Sequence, residues 1–157
     1  YTDNCERAIF YARGVLETVK KLRWVPDVIH CHGWAAALAP LYIKKAYNEE
    51  PSFRDTKVVI EASPKEFEQD LGTENAKFVE YKDVSYDDIK DICENKFGHT
   101  ELVKIGVKFA DGVIIENSNT DSAIMEYAKS LNKPVLEPVE GDAFKEAYST
   151  FYESLFD

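Results

Sequence analysis

The chain has 157 residues, of which 45% are hydrophobic and 13% aromatic, a composition typical of a folded globular domain rather than a disordered segment. Its 29 acidic and 19 basic residues give a formal net charge of -10, and no basic stripe is present, which predicts no nucleic-acid partner. No apolar run approaches the roughly 20 residues of a membrane span, and no signal peptide is recognisable, which predicts no membrane partner. We therefore expect one domain over residues 1–157.

The first predicted helix begins at Asp3 and Asn4, which can cap it, and its apolar residues recur at helical spacing until about residue 23. Further helices are predicted over 34–47, 86–97, 100–110, 120–131 and 142–156. Pro40 should either kink the second helix or mark where it begins. The stretch from Ser63 to Tyr81 has no clear period, so we assign it no element.

Four short apolar segments, rich in β-branched residues, predict strands at 27–32, 57–62, 112–117 and 133–138. Because these strands alternate with amphipathic helices, the fold class predicted is α/β, a single Rossmann-like domain. The sheet should be parallel, with right-handed crossovers and helices on both of its faces.

The three cysteines, Cys5, Cys31 and Cys93, form no Cys-x-x-Cys pair and are widely spaced. Their odd number and spacing predict reduced thiols in a cytoplasmic protein, without a disulfide framework. Cys31 lies inside an apolar strand pattern, so we expect it to be a small buried residue of the core.

The segment VIHCHGW, residues 28–34, places polar residues where a buried strand ends. Ligands of open parallel sheets bind beyond the carboxyl ends of the strands, which favours a crevice here. His30 and His32 should share one face of the strand because side chains alternate, and they either form structural hydrogen bonds or contact a ligand. Gly33 permits a tight turn and the close approach of a ligand. The candidate binding residues of this segment are His30, His32, Gly33 and Trp34.

Two histidines do not complete a zinc site, and His99 lies in an unrelated stretch, so no metal is expected. The chain has no Gly-x-Gly-x-x-Gly or phosphate-loop motif, and Ser118 lacks the glycines of a nucleophile elbow. The sequence therefore predicts no cofactor and no catalytic residue.

The last predicted helix carries an aromatic stripe at helical spacing: Phe144, Tyr148, Phe151, Tyr152 and Phe156. Such a stripe usually packs onto the core, and this is our prediction. A surface for a partner domain, or a platform on which sugar rings stack, are the alternatives.

Residues 26–47, PDVIHCHGWAAALAPLYIKKAY, resemble the signature of bacterial glycogen and starch synthases, P-D-[IV]-[IV]-H-x-H-D-W-x-x-x-L-x-P-x-Y. Downstream, Lys104, Gly106, Ala110 and Asp111 match the family pattern L-x-K-x-G-[IV]-x-x-A-D-x-[IV]. The resemblance covers roughly residues 1–62 and 100–118. It implies the N-terminal domain of a glycosyltransferase of family five, and within it the C-terminal portion of that domain.

The resemblance also implies a function. Members of this family transfer glucose from ADP-glucose to the end of an α-1,4-glucan, in a cleft between two Rossmann domains. The partners implied are therefore α-glucan, ADP-glucose and a second glycosyltransferase domain.

Several positions depart from the family pattern. Gly33 stands where the family has aspartate, and Ser63 and Pro64 stand near a His-Asn pair that contacts the sugar, which adds Ser63 to the candidate crevice residues. The family's donor loop and its second domain have no counterpart in residues 1–157. A departing nucleoside diphosphate needs cations nearby, so we expect the chain to be catalytically impaired on its own, as a pseudoenzyme. The alternatives are a glucan-binding or protein-interaction module, and one half of a working transferase.

Overall fold

The four strands lie side by side in the order in which they occur along the chain. The structure is a computed structural model that describes residues 2–157; Tyr1, where the predicted domain begins, lies outside the described residues. All neighbouring strands are parallel, which confirms the predicted α/β class. The strands are β1 (Val28–His32), β2 (Lys57–Ala62), β3 (Gly112–Ile115) and β4 (Val135–Leu136).

One helix precedes the first strand, and the others connect successive strands or follow the last one. They are α1 (Asn4–Lys21), α2 (Ala39–Lys45), α3 (Lys90–Cys93), α4 (His99–Phe109), α5 (Ser122–Ser130) and α6 (Phe144–Ser154). Short 3₁₀ turns lie at Trp34–Ala36, Thr73–Val79, Tyr86–Asp88 and Gly141–Ala143. Pro40 lies in the first turn of α2, where its missing N–H is tolerated, so this proline marks the start of the helix.

Side-chain alternation divides the sheet into two apolar faces. On β2, Val58 and Ile60 belong to the main core, which helices α1 to α5 complete. Val59 and Ile114 belong to a smaller cluster on the opposite face, which α6 covers with Phe151. Helices thus lie on both faces, as predicted, but a single helix covers the second face.

The helix predicted over 86–97 is wrong in length, because only the turn Tyr86–Asp88 and the short α3 form there. The carbonyl of Asp88 accepts a hydrogen bond from Lys108 Nζ at 2.7 Å, and the N–H of Ile92 donates to Ile89 instead. The i to i+4 ladder is therefore interrupted where the helix would have to propagate.

The cysteine prediction is confirmed: Cys5, Cys31 and Cys93 are free and buried. In the part of the chain that the structure describes, no helix is both long enough and apolar enough to cross a membrane.

Candidate functional site

Three polar side chains meet where β1, β2 and β3 end. The strand register places His32 directly opposite Glu61, and Glu116 follows the last residue of β3. His32 Nε2 lies 3.1 Å from Glu61 Oε2 and 3.3 Å from Glu116 Oε1. These donor atoms are nitrogen and oxygen within 4.8 Å of one another, a set that could hold a metal ion.

His30 lies on the same face of β1 as His32, as predicted, and both histidines contact Glu61. Its Nε2 donates to Glu61 Oε1 at 2.9 Å, because an ionised carboxylate can only accept. Its Nδ1 forms a hydrogen bond with the hydroxyl of Tyr152 on α6, which accepts when the imidazole is charged and donates when it is neutral. His30 is thus held between β2 and α6 and presents no unpaired ring nitrogen.

The environment of Glu61 keeps it ionised. Burial alone would raise the pKa of this carboxyl, but the hydrogen bond and charge of His30 and the charge of His32 outweigh burial and lower it. Tyr148 also donates to Glu61. Burial and the neighbouring Glu61 charge raise the pKa of Tyr148 to about 12, and the same two causes raise that of Tyr152. Both hydroxyls therefore remain donors at neutral pH.

Gly33 begins the turn above this cluster with φ 76°, in the region that favours glycine. Its N–H donates to the carbonyl of Glu61 at 3.1 Å. A Cβ at this position would lie 3.8 Å from Ser63 Oγ and 3.9 Å from Glu66 Oε1. Gly33 and Ser63 are therefore neighbours, and the room beside Gly33 would accept a small group of a ligand.

Trp34 is half-buried and turned toward other rings. The ring centroids of Trp34 and Phe67 lie 5.3 Å apart in an edge-to-face arrangement, and the rings of Phe67 and His99 have the same arrangement and the same centroid distance. Burial lowers the pKa of His99. Sequence reasoning placed His99 in an unrelated stretch, whereas the fold joins it to Trp34 through one phenylalanine.

The aromatic stripe of α6 packs onto the sheet through Tyr148, Phe151 and Tyr152, which confirms its docking role for these three residues. The docking prediction is wrong for Phe144 and Phe156, which are 40% and 51% exposed, and Phe156 lies beyond the end of α6. The stripe also supplies the hydroxyls that hold His30 and Glu61, which its apolar periodicity does not indicate.

Sequence reasoning did not single out Glu61 or Glu116. The available signal was positional: Glu61 is an acid inside the apolar segment KVVIEA, and Glu116 ends the apolar run GVII. An acid at the carboxyl end of a parallel strand lies at the edge where ligands bind.

The fold and the site together define a class of protein: parallel α/β domains whose polar residues meet at the carboxyl edge of the sheet. The catalytic domain of starch synthase IV from Arabidopsis thaliana, bound to ADP and acarbose, has this fold, with a TM-score of 0.68 over 90% of this chain and 15% identity. A model of the starch synthase catalytic domain matches residues 1–133. The chain belongs to this family, which confirms the resemblance in its sequence.

Curated relatives agree with this assignment. Glycogen synthase from Chlorobium limicola is 49% identical over 57 residues, which is 36% of this chain and 12% of the relative. Those from Aeromonas salmonicida and Geotalea daltonii are 29% and 31% identical over 81% and 90% of this chain. The chain spans only 25% and 26% of these two relatives, and 30% of the Arabidopsis structure.

Proposed function

We propose that this chain is the glucan-facing portion of a glycogen or starch synthase-like domain, and that it binds α-1,4-glucan without transferring glucose on its own. The observation that carries the proposal is the charge of the crevice. Glu61 and Glu116 have histidines as ion-pair partners, and within residues 2–157 neither forms an ion pair with a lysine or arginine.

A neutral glucan suits such a crevice. Carboxylates accept hydrogen bonds from sugar hydroxyls, imidazoles can donate or accept them, and an uncharged chain suffers no repulsion from either group. The exposed ring of His32 and the room beside Gly33 and Ser63 offer these contacts at one edge of the sheet. His30, held by Glu61 and Tyr152, would support the site from behind.

ADP-glucose suits the crevice poorly. Two like charges about 4 Å apart repel by about 1 kcal/mol in water and by about 4 kcal/mol near a protein surface. A diphosphate beside Glu61 and Glu116 meets this repulsion twice. Transfer further requires cations at the departing diphosphate and groups that orient the sugar, and Gly33 supplies no carboxylate for the second task.

The chain covers only part of the length of its relatives, and its cysteines are free. Because the chain spans about a quarter of its longer-aligned relatives, we propose that it forms the C-terminal portion of an N-terminal domain, which would face a second, donor-binding domain. Three buried cysteines without a disulfide favour a reducing compartment such as the cytoplasm.

The test is an amide-resolved NMR titration with maltoheptaose, with cellohexaose as the linkage control, and separately with ADP-glucose. We expect maltoheptaose alone to shift residues 30–34, 61–63 and 116. Glu116→Gln should weaken this binding, whereas Glu126→Gln, the same change on the exposed surface of α5, should not.

Two results would contradict the proposal. Shifts at the same residues with ADP-glucose, together with ADP release in the presence of glycogen, would restore a working transferase. No shift with any sugar would favour the interaction module, for which the exposed apolar residues Phe10, Leu22 and Trp24 offer a surface.

A further inference from the structure

We propose that His32, Glu61 and Glu116 form a binding site for a divalent transition-metal ion, of which Zn²⁺ fits the donors best. The three residues come from β1, β2 and the end of β3, so the sheet itself brings them together. One imidazole nitrogen and two carboxylate oxygens form a mixed donor set that zinc accepts.

The donor spacing fits a tetrahedral ion. Bonds of about 2.0–2.1 Å place neighbouring donors of a tetrahedron about 3.3 Å apart. His32 Nε2 lies 3.1 Å from Glu61 Oε2 and 3.3 Å from Glu116 Oε1, and no pair of the three donor atoms is more than 4.8 Å apart. A small movement of the half-exposed Glu116 would complete the three contacts.

The single proton on His32 Nε2 cannot satisfy both neighbouring carboxylates, which favours a bound cation over hydrogen bonds alone. His32 Nε2 carries at most one proton, yet two carboxylate oxygens face it. The hydrogen bond of His32 Nε2 goes to Glu116 Oε1, so Glu61 Oε2 lies 3.1 Å from the same nitrogen without receiving its proton. A metal ion in place of this proton would bind all three donors at once and offset two neighbouring negative charges.

Glu61 is already oriented for this role. Its Oε1 accepts from His30, while its Oε2 faces His32. His30 is fixed in turn by Tyr152, and Tyr148 donates to the same carboxylate. Partners behind a ligand set its direction and hold its charge, as they do in known zinc sites.

The site is open to solvent. The His32 side chain is 57% exposed and that of Glu116 33%, whereas that of Glu61 is 10% exposed. An ion could therefore enter from solvent, and three protein ligands would leave a fourth position for water or a ligand oxygen. The sequence prediction of no metal considered histidines alone, and the two carboxylates change that reasoning.

The proposal is tested with Co²⁺ and Zn²⁺ on the tag-free chain. Cobalt absorption reports tetrahedral binding, and a thiolate charge-transfer band would reveal binding at a cysteine instead. Imidazole ¹⁵N spectra of the unmodified protein, recorded with Zn²⁺, separate the three histidines. We expect one ion per chain, a shift of His32 Nε2, no shift of the buried His99, and no thiolate band.

Variants locate the ligands. His32→Gln and Glu116→Gln should each weaken Zn²⁺ binding at least about tenfold, because loss of a ligand costs no less than loss of a supporting partner. Glu66→Gln, which removes a carboxylate at the same edge but outside the donor set, should leave affinity unchanged. Any one of three results would overturn the proposal: no stoichiometric binding, the appearance of a thiolate band, or the same Zn²⁺ affinity in all three variants. Glucan and ADP-glucose binding are measured separately on the metal-free chain, where Glu61 and Glu116 keep their negative charges, so either proposal can fail alone.

Discussion

His30 and Glu61 are joined by a hydrogen bond of 2.9 Å that links β1 to β2 on the face covered by α6. The side chain of His30 is 24% exposed and that of Glu61 only 10%, so the carboxylate is the more buried partner. A buried carboxylate is tolerated only when its oxygens are paired, and Glu61 is paired with two histidines and Tyr148. Glu61 therefore contributes to the stability of the fold as well as to the crevice.

Replacing Glu61 tests that structural part. Glu61→Leu removes the acceptor for His30 and for Tyr148, so we expect it to lower the free energy of unfolding by about 2–4 kcal/mol. Glu61→Gln keeps an acceptor oxygen and should cost about 1–2 kcal/mol. Urea unfolding of both variants checks this order, and a Leu variant as stable as the parent chain would refute it.

Asp111, which matches the family motif, has a structural explanation. Its Oδ2 accepts from the N–H of Val58 at 2.8 Å and from Lys44 Nζ at 2.7 Å, which fixes the start of β2 to α2. Asp111→Ala should cost about 2–3 kcal/mol, because the Val58 N–H loses its partner. Asp142→Ala, an exposed control, should change stability by less than about 0.5 kcal/mol. Equal unfolding midpoints for the two variants would contradict this role.

The fold was predictable because its signals are local. Apolar strands rich in valine and isoleucine, such as Val58–Ile60, can only be buried on both faces, and amphipathic helices between them imply parallel pairing. The helix predicted over 86–97 failed because Lys108, distant in sequence, binds the carbonyl of Asp88. No local pattern contains that contact.

The candidate site was only half predictable. Alternation placed His30 and His32 on one face, since it needs a single strand. Glu61 and Glu116 join them only through the register between strands, which pairs His32 with Glu61, and register is not encoded in either segment alone. Tyr152 comes from a helix more than a hundred residues away, so its bond to His30 required the tertiary structure.

His99 should make stability depend on pH. Burial lowers its pKa from the usual 6.5; Glu66, Asp121 and Glu101 oppose that shift, while Lys65 adds to it. Below pH 6.5 the unfolded chain therefore binds a proton that the folded chain does not. The free energy of unfolding should fall as the pH is lowered, until the pH passes the pKa of His99 in the folded chain. Denaturant unfolding between pH 7.5 and 5 should show a steeper fall for the parent chain than for His99→Leu. Parallel curves would contradict this assignment.

Two helical glycines should respond in opposite ways to alanine. A Cβ at Gly106 in α4 would lie 2.9 Å from the backbone oxygen of Ala37 and 3.1 Å from Ile60 Cδ1, whereas one at Gly14 in α1 would meet nothing within 4 Å. Alanine favours a helix over glycine by about 1 kcal/mol, so Gly14→Ala should stabilise the chain by about 0.5–1 kcal/mol. At Gly106 the overlap with a backbone atom should outweigh this gain, for a net loss of about 1–2 kcal/mol. Thermal unfolding of the pair gives the sign directly, and a stabilised Gly106→Ala variant would show that α4 does not pack this closely on β2.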